Sequence, residues 1–241
     1  MYIIIGNFGN HSLAAMQALI EKNLSDVHFL YVETGWADSS WSQRIAACSD
    51  YATAQGVRVH RLKSQATFAQ MVIERKQFPS RKFQWCASFL KGLPIISHLD
   101  DYDPSCEAYI VSGKRRSDSR RYADLQEFEY ENELYQGRTL WNPLWQTLEA
   151  DFIQLITRTG FSPLLHPSLE CSPCIHLEPK ESPIESAAME RLEKLEQVVG
   201  QTMFQMPIKK VCALTEIQQE QPNFDLQHFD FGCGSPWGCG E

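Results

Sequence analysis

No run of the sequence approaches the ~18 consecutive apolar residues that a membrane-spanning helix needs, so membrane insertion is not expected. Positive charge is also scarce. Lys and Arg number 22 against 30 Asp and Glu, a formal net charge of -8, which excludes a broadly basic binder that holds nucleic acid by neutralising phosphates. The apolar start Met1-Tyr2-Ile3-Ile4-Ile5 has no basic stretch before it and reaches Gly6 too soon for a secretory signal. A cytoplasmic protein is therefore expected. Eight cysteines in 241 residues are too few for a small disulfide scaffold and point to metal or redox chemistry instead. There is no internal repeat.

What is present is an ordinary globular composition, 43% hydrophobic and 22% charged with 13 Gly and 12 Pro. Short β-branched runs at Tyr2–Ile5, Val27–Val32, Val57–Leu62 and Ala108–Val111 read as strands. Helical periodicity fills the intervals at Ser12–Glu21, Ser40–Ala54, Phe68–Lys76 and Ala87–His98. A short apolar element at Thr139–Leu144 and a helix at Leu148–Arg158 follow. This β-α-β-α-β order predicts an α/β fold with a doubly wound, mostly parallel sheet, whose ligand sits at the carboxyl ends of the strands. The polar, proline-bearing stretch from Glu178 to Pro183 divides the chain into a domain over 1–178 and an extension over 179–241. The extension holds one charge-laced helix, Ala187–Val199, and a tail rich in glycine and cysteine.

Three polar loops fall at predicted strand ends. Gly6-Asn7-Phe8-Gly9-Asn10-His11-Ser12 leads from the first strand into a helix, where free backbone N–H groups attract an anion. The same loop reads equally as a tight turn capped by Asn10 or Ser12, and it lacks the Gly-Lys-Ser/Thr ending of a nucleotide P-loop. Glu33-Thr34-Gly35 closes the second strand, with a carboxylate for ribose or base contacts or a helix-capping Thr34. Gly113 to Arg121 carries five cations in Lys114, Arg115, Arg116, Arg120 and Arg121, a set suited to phosphate or sulfate or else a solvated charge run.

Cys171-Ser172-Pro173-Cys174 has the spacing that turns two sulfurs to one metal, and Cys233 and Cys239 add two thiolates in the tail. Zinc or an iron–sulfur cluster suits such a set, and a redox pair is the competing reading. Cys48, Cys106 and Cys212 have no partner spacing and read as inert packed thiols. His11 and His176 lie near these segments, and the other five histidines read as surface or packing residues.

Taken in order, the segments resemble the phosphoadenosine phosphosulfate (PAPS) or adenosine phosphosulfate (APS) reductase family, a branch of the adenine-nucleotide α-hydrolase-like, PP-loop superfamily. Phe8-Gly9 is similar to that family's Ser-Phe-Gly loop, and Glu33-Thr34-Gly35 stands where the family has Asp-Thr-Gly. The run from Gly113 through Arg115, Arg116 and Ser119 to Arg121 resembles its arginine motif, and Asn142-Pro143-Leu144 its Asn-Pro-Leu. Residues 1–176 are covered by the resemblance.

The resemblance implies an adenine nucleotide (PAPS, APS or ATP) held by Asn7, Phe8, Gly9, Asn10, Ser12, Glu33, Thr34, Gly35, Gly113, Arg115, Arg116, Ser119 and Arg121. It makes Cys239 a nucleophile assisted by Lys91 and Arg116. A [4Fe–4S] cluster or zinc is implied on Cys171, Cys174, Cys233 and Cys239 with Cys86 as a fifth participant, or on Cys86, Cys171 and Cys174 with a fourth ligand from the tail. The sequence departs from the family at Trp85, where a Cys-Cys pair would begin, and at Gly238, where a glutamate precedes the tail cysteine. Implied partners are the small-molecule nucleotide and either a thiol reductant protein or a nucleic-acid substrate. An ATP-dependent sulfurtransferase and a non-catalytic nucleotide-binding module with structural zinc are the alternatives to sulfonucleotide reduction. The sequence does not reveal the oligomeric state.

Overall fold

Ile3-Ile4-Ile5 stands at the centre of the sheet because its side chains alternate between two apolar layers. Ile3 and Ile5 face one buried cluster and Ile4 faces the other, as a strand covered on both faces must. The computed structural model describes residues 1–176, 185–204 and 236–239. Six strands form one sheet: β1 (Tyr2–Ile5), β2 (Val27–Glu33), β3 (Arg58–Lys63), β4 (Tyr109–Val111), β5 (Phe128–Glu129) and β6 (Thr139–Trp141). Their spatial order is β3-β2-β1-β4-β6-β5, and every pairing is parallel except β5 with β6. The predicted α/β, mostly parallel sheet is thus what the chain forms.

The chain order reverses beside β1, which pairs β2 on one side and β4 on the other. In open parallel sheets this reversal opens a crevice beyond the carboxyl ends of the strands. Helices α1 (Asn10–Glu21), α2 (Trp41–Ala54) and α6 (Glu149–Arg158) cover one face, placing Leu13, Met16, Ile45, Cys48, Phe152 and Ile156 in its core. The charge pattern of α6 suits its dipole, with Glu149 and Asp151 in its first turn and Arg158 in its last.

On the opposite face, α3 (Phe68–Arg75) starts from a capping box in which Thr67 and Gln70 bond each other's backbone N–H. Trp85 to Tyr102 then runs as one helical stretch: α4 (Trp85–Ala87), a π-helical turn (Ser88–Gly92) and α5 (Leu93–Tyr102). Such turns widen a helix and recur at functional sites. In the extension, α7 (Ser186–Val199) buries Leu192 and Leu195 in a third cluster with Trp36, Phe68, Trp85 and Leu90. Among the described residues no helix is long and apolar enough to cross a membrane.

Candidate functional site

The loops after β1 and β4 lie on each other at the switch point. A Cβ on Gly113 would stand 2.2 Å from the backbone oxygen of His11, so only glycine permits this approach. In the first loop Phe8 takes a left-handed backbone (φ 63) and its buried ring stacks on Phe29 with centroids 4.1 Å apart. Its polar side chains are engaged internally. Asn7 Oδ1 accepts the Gly9 N–H at 2.7 Å, and Asn10 is tied to the backbone of Leu164 by two hydrogen bonds. Ser12 Oγ donates to the Gly9 carbonyl at 3.3 Å. What this loop offers an anion is therefore its backbone and the start of α1.

The arginine loop divides into braced and outward-facing parts. Arg115 is buried, pairs with Asp118 at 2.6 Å and with Glu149 at 2.8 Å, and lies over the Phe152 ring at 3.8 Å. Asp118 also meets His11 at 3.0 Å. Burial works against its charge, but the bond from His11 and the Arg115 charge hold its carboxyl below the usual range. Arg116 donates to the Leu125 carbonyl and covers the Trp145 ring at 4.4 Å. Ser119 caps the next turn by accepting the Arg121 N–H, which leaves Arg120 and Arg121 exposed at the rim.

At the end of β2, Glu33 is paired with Arg61. Thr34 is buried, and its hydroxyl has no hydrogen-bond partner among the described residues. Gly35, at φ 69, leaves room for Thr67, whose Cγ2 would stand 2.6 Å from an added Cβ.

Beside these loops, three separate segments bring cysteines together. Cys86 sits on α4, Cys171 and Cys174 on the loop after Leu169, and Cys239 on the tail. Cys86 and Cys171 both pack against the Trp36, Trp85 and Leu90 cluster. Burial pushes the Cys86 and Cys174 thiols up to about 12, and charge on Cys239 adds to this in both. Cys171 lies well above the ordinary thiol range through burial, Glu170, Cys174 and Cys239. All four sulfurs therefore share one electrostatic neighbourhood. Among the described residues no group of three or more His, Cys, Asp or Glu side chains is closed up to hold a metal. The fourth predicted ligand, Cys233, lies outside the described residues.

The centre of this neighbourhood is a cation. Lys91, on the π turn, is 1% exposed and donates to both carboxylate oxygens of Glu170, at 3.0 and 2.9 Å, and to the Gly238 carbonyl at 2.9 Å. Burial opposes its charge, but Cys239 and Glu170 outweigh that and raise its pKa. Glu170 also accepts from Asn7 Nδ2 at 3.2 Å. One carboxylate thus links the first loop, the helix of Cys86, the Cys171–Cys174 loop and the tail.

The tail is held by packing too. Trp237 is buried so closely on Gly92 that an added Cβ there would meet its ring at 2.7 Å. Tyr135 donates to the Pro236 carbonyl at 2.5 Å, and Gly238 (φ 68) lies on the end of β1, where an added Cβ would be 3.0 Å from the Ile5 oxygen. From the extension, Arg191 braces the cysteine loop by donating to the carbonyls of Ser172, Trp36 and Ala37 while covering the Trp36 ring at 4.1 Å.

Glu170, Tyr135 and Arg191 are residues that sequence reasoning missed, and the pairing of the candidate residue Asn7 with Glu170 was not foreseen. The one signal available for Glu170 was its place directly before the Cys-x-x-Cys. Cys48 is fully buried with its thiol pushed up to about 11 by burial, as an inert packed thiol should be.

No curated protein matches the chain. Among solved structures, a phosphoadenylyl-sulfate reductase from Candida auris in a phosphate complex is similar, with 18% identity, a TM-score of 0.48, and coverage of 67% of this chain and 73% of that one. A U34-tRNA thiolase from Methanococcus maripaludis with its [4Fe-4S] cluster is similar at 14% identity and a TM-score of 0.43, covering 92% of this chain and 72% of that one. The phosphoadenosine phosphosulfate reductase domain matches residues 2–166. That span holds all six strands of the sheet and all three switch-point loops, and the chain belongs to this family.

Proposed function

We propose that the protein is a sulfur-metabolism enzyme that binds an adenine nucleotide at the β1/β4 switch point and works beside a metal centre on Cys86, Cys171, Cys174 and Cys239. What supports this reading is the electrostatic coupling of Cys86, Cys171 and Cys174 to Cys239, with the buried Lys91–Glu170 pair joining the segments that carry Cys86 and Cys171. The donor set fits the group: four thiolates suit a [4Fe–4S] cluster or zinc, and a bound cation would offset the cost of several buried thiolates. When bound, iron–sulfur would supply redox-active or sulfur-binding iron, and zinc would supply a fixed Lewis acid. Gly113, Arg116, Arg121 and the first-loop backbone would bind the nucleotide's anionic groups by charge-assisted bonds. Lys91 acts as a positioning residue, holding the tail through the Gly238 carbonyl.

In sulfonucleotide reduction, Cys239 would not be a ligand: Cys86, Cys171 and Cys174 would hold the centre, and Cys239 Sγ would form a bond to the sulfo sulfur as the bond from that sulfur to the phosphate oxygen breaks. The nucleotide would leave with the electron pair. A dithiol protein would then be oxidised to its disulfide, releasing sulfite and restoring the Cys239 thiolate.

A second reading is favoured by one observation: Cys239 lies among the other thiols, where it would be a ligand and not a mobile nucleophile. An acceptor oxygen on a nucleic-acid base would then attack the α-phosphorus of ATP, expelling pyrophosphate. A sulfide donor would displace AMP from the activated base. Anaerobic incubation separates the two. Sulfite from APS or PAPS with a dithiol supports the first, pyrophosphate and thiolated nucleic acid from ATP and Mg²⁺ support the second, and neither product from any substrate rejects the enzyme reading.

A further inference from the structure

Arg44 lies on α2, 36 positions from the loop it touches, and its Nε donates to the Phe8 carbonyl at 2.7 Å. The guanidinium is half-buried, 5.5 Å from the centroid of the Trp41 ring and 5.9 Å from that of Phe161. Burial lowers its pKa, and no carboxylate among the described residues raises it. An arginine nevertheless keeps its charge in a protein. Its Nη2 is buried with no hydrogen-bond partner among the described residues, and the same holds for Nε1 of the buried Trp41 beside it. A positive charge and two spare donors thus meet where no negative group answers them, an arrangement that costs free energy until an acceptor arrives.

The peptide that Arg44 holds is the one that shapes the first loop. Phe8 has φ 63, a left-handed backbone that a bulky side chain adopts only when its surroundings impose it. Both ends of the Phe8–Gly9 peptide are clamped, the carbonyl by Arg44 and the N–H by Asn7 Oδ1. Helix α1 opens directly after it. Its first bond runs from the Leu13 N–H to the Gly9 carbonyl at 3.1 Å, so the N–H groups of Asn10, His11 and Ser12 come ahead of the helical ladder. A carbonyl oxygen beside these donors would repel an anion, and a guanidinium on that oxygen cancels the repulsion and leaves positive charge behind the loop.

We infer that Arg44 is a positioning residue for the anion at the first loop: it holds the Phe8–Gly9 peptide in its left-handed turn and supplies the charge against which a phosphate chain binds. Arg116 and Arg121 belong to the loop after β4, so Arg44 adds a cation from a different element, α2. That the anion belongs to an adenine nucleotide rests on the reading above; that Arg44 serves an anion rests on its own geometry.

The test is calorimetric titration of the full chain with pyrophosphate, ATP and PAPS, using wild type, Arg44→Lys and Arg44→Gln. Lysine keeps the charge and a donor for the Phe8 carbonyl, and glutamine keeps a donor alone. Arg44→Gln should weaken pyrophosphate and nucleotide binding at least ~10-fold, whereas Arg44→Lys should stay within ~3-fold of wild type. A merely structural role would not follow the charge in this way. The unliganded Arg44→Gln protein should melt no lower than wild type, because a buried charge without a partner has been removed. Near-ultraviolet circular dichroism checks the fold, and if Arg44→Gln does not fold, Arg44→Met takes its place with the same expected loss. Equal pyrophosphate affinity in wild type and the neutral variant, or equal losses in the lysine and neutral variants, would overturn the role of Arg44 and leave the nucleotide reading standing. Pyrophosphate binding that depends on Arg44, with neither nucleotide bound more tightly than pyrophosphate, would uphold Arg44 and reject the adenine-nucleotide reading. No binding of any of the three by wild type would overturn both.

Discussion

Lys91 and Glu170 form an ion pair in which both side chains are 2% exposed, with Nζ 2.9 Å from Oε2. They lie 79 positions apart, and each belongs to a different cysteine segment. The desolvation of two charges this deep is compensated only because both are fully engaged, the lysine by Gly238 and the carboxylate by Asn7 as well. The pair therefore fixes the relative positions of Cys86, Cys171 and Cys239.

Removing one member should be worse than removing both. Glu170→Ala strands the lysine charge and should cost about 3–5 kcal/mol, whereas Lys91→Met with Glu170→Leu should cost much less. Urea unfolding of the two single variants and the double variant measures this. Additive losses would show that the two residues do not act as a pair.

Gly92→Ala should undock the tail without touching a sulfur atom. The position is helical with φ -57, so alanine suits the backbone, but its Cβ would strike the Trp237 ring. We expect a shifted tryptophan emission and reduced metal content. Unchanged metal content would mean that Cys239 needs no help from Trp237.

Replacing Arg116 and Arg121 together with alanine should weaken adenine-nucleotide binding at least ~10-fold, since charge-assisted bonds to an anion are the strong kind. Arg115→Ala should instead lower stability, because that guanidinium is committed to Asp118, Glu149 and Phe152. Calorimetry on both variants, with a melting curve for each, distinguishes the roles. Unchanged affinity for every phosphorylated or sulfated adenosine in the double variant would reject the site.

Acid should destabilise the fold at the far end of the sheet. His60 stands between His28, at 2.9 Å, and His98, with ring centroids 4.9 Å apart. Burial and then the charges of His98 and His28 lower its pKa from 6.5 to about 4. The unfolded chain takes up a proton near pH 6.5 that the fold refuses until about pH 4, so this contribution is whole above pH 6.5 and is lost below it. Between pH 7 and 5 the loss should be about 1 kcal/mol after solvent screening, and His60→Gln should reduce it. Identical pH slopes for the two proteins in urea unfolding would contradict this assignment.

The fold was legible because its central strands, β1, β2 and β4, are short and apolar while its helices keep their period. β1 and α3 begin at the positions the sequence predicts. β5, with two residues, is too short to carry a period, and the π turn leaves no mark on hydrophobic spacing. The site was legible in part. Gly113 and the arginine loop could be found from local composition, and Cys86 through the family resemblance. The division of labour between Arg115 and Arg121 could not, because it depends on Glu149 and Phe152 packing back from α6. Nor could Glu170, whose partners lie 79 and 163 positions away.

The central claim is that Cys86, Cys171, Cys174 and Cys239 hold one metal centre. It is tested by changing each of them to serine, with Cys106→Ser as the control, and measuring iron, zinc and visible absorbance after anaerobic purification. The account predicts metal in the wild type and the control, and its loss from all four single variants. Full metal retained by the Cys86→Ser or Cys239→Ser protein would contradict it.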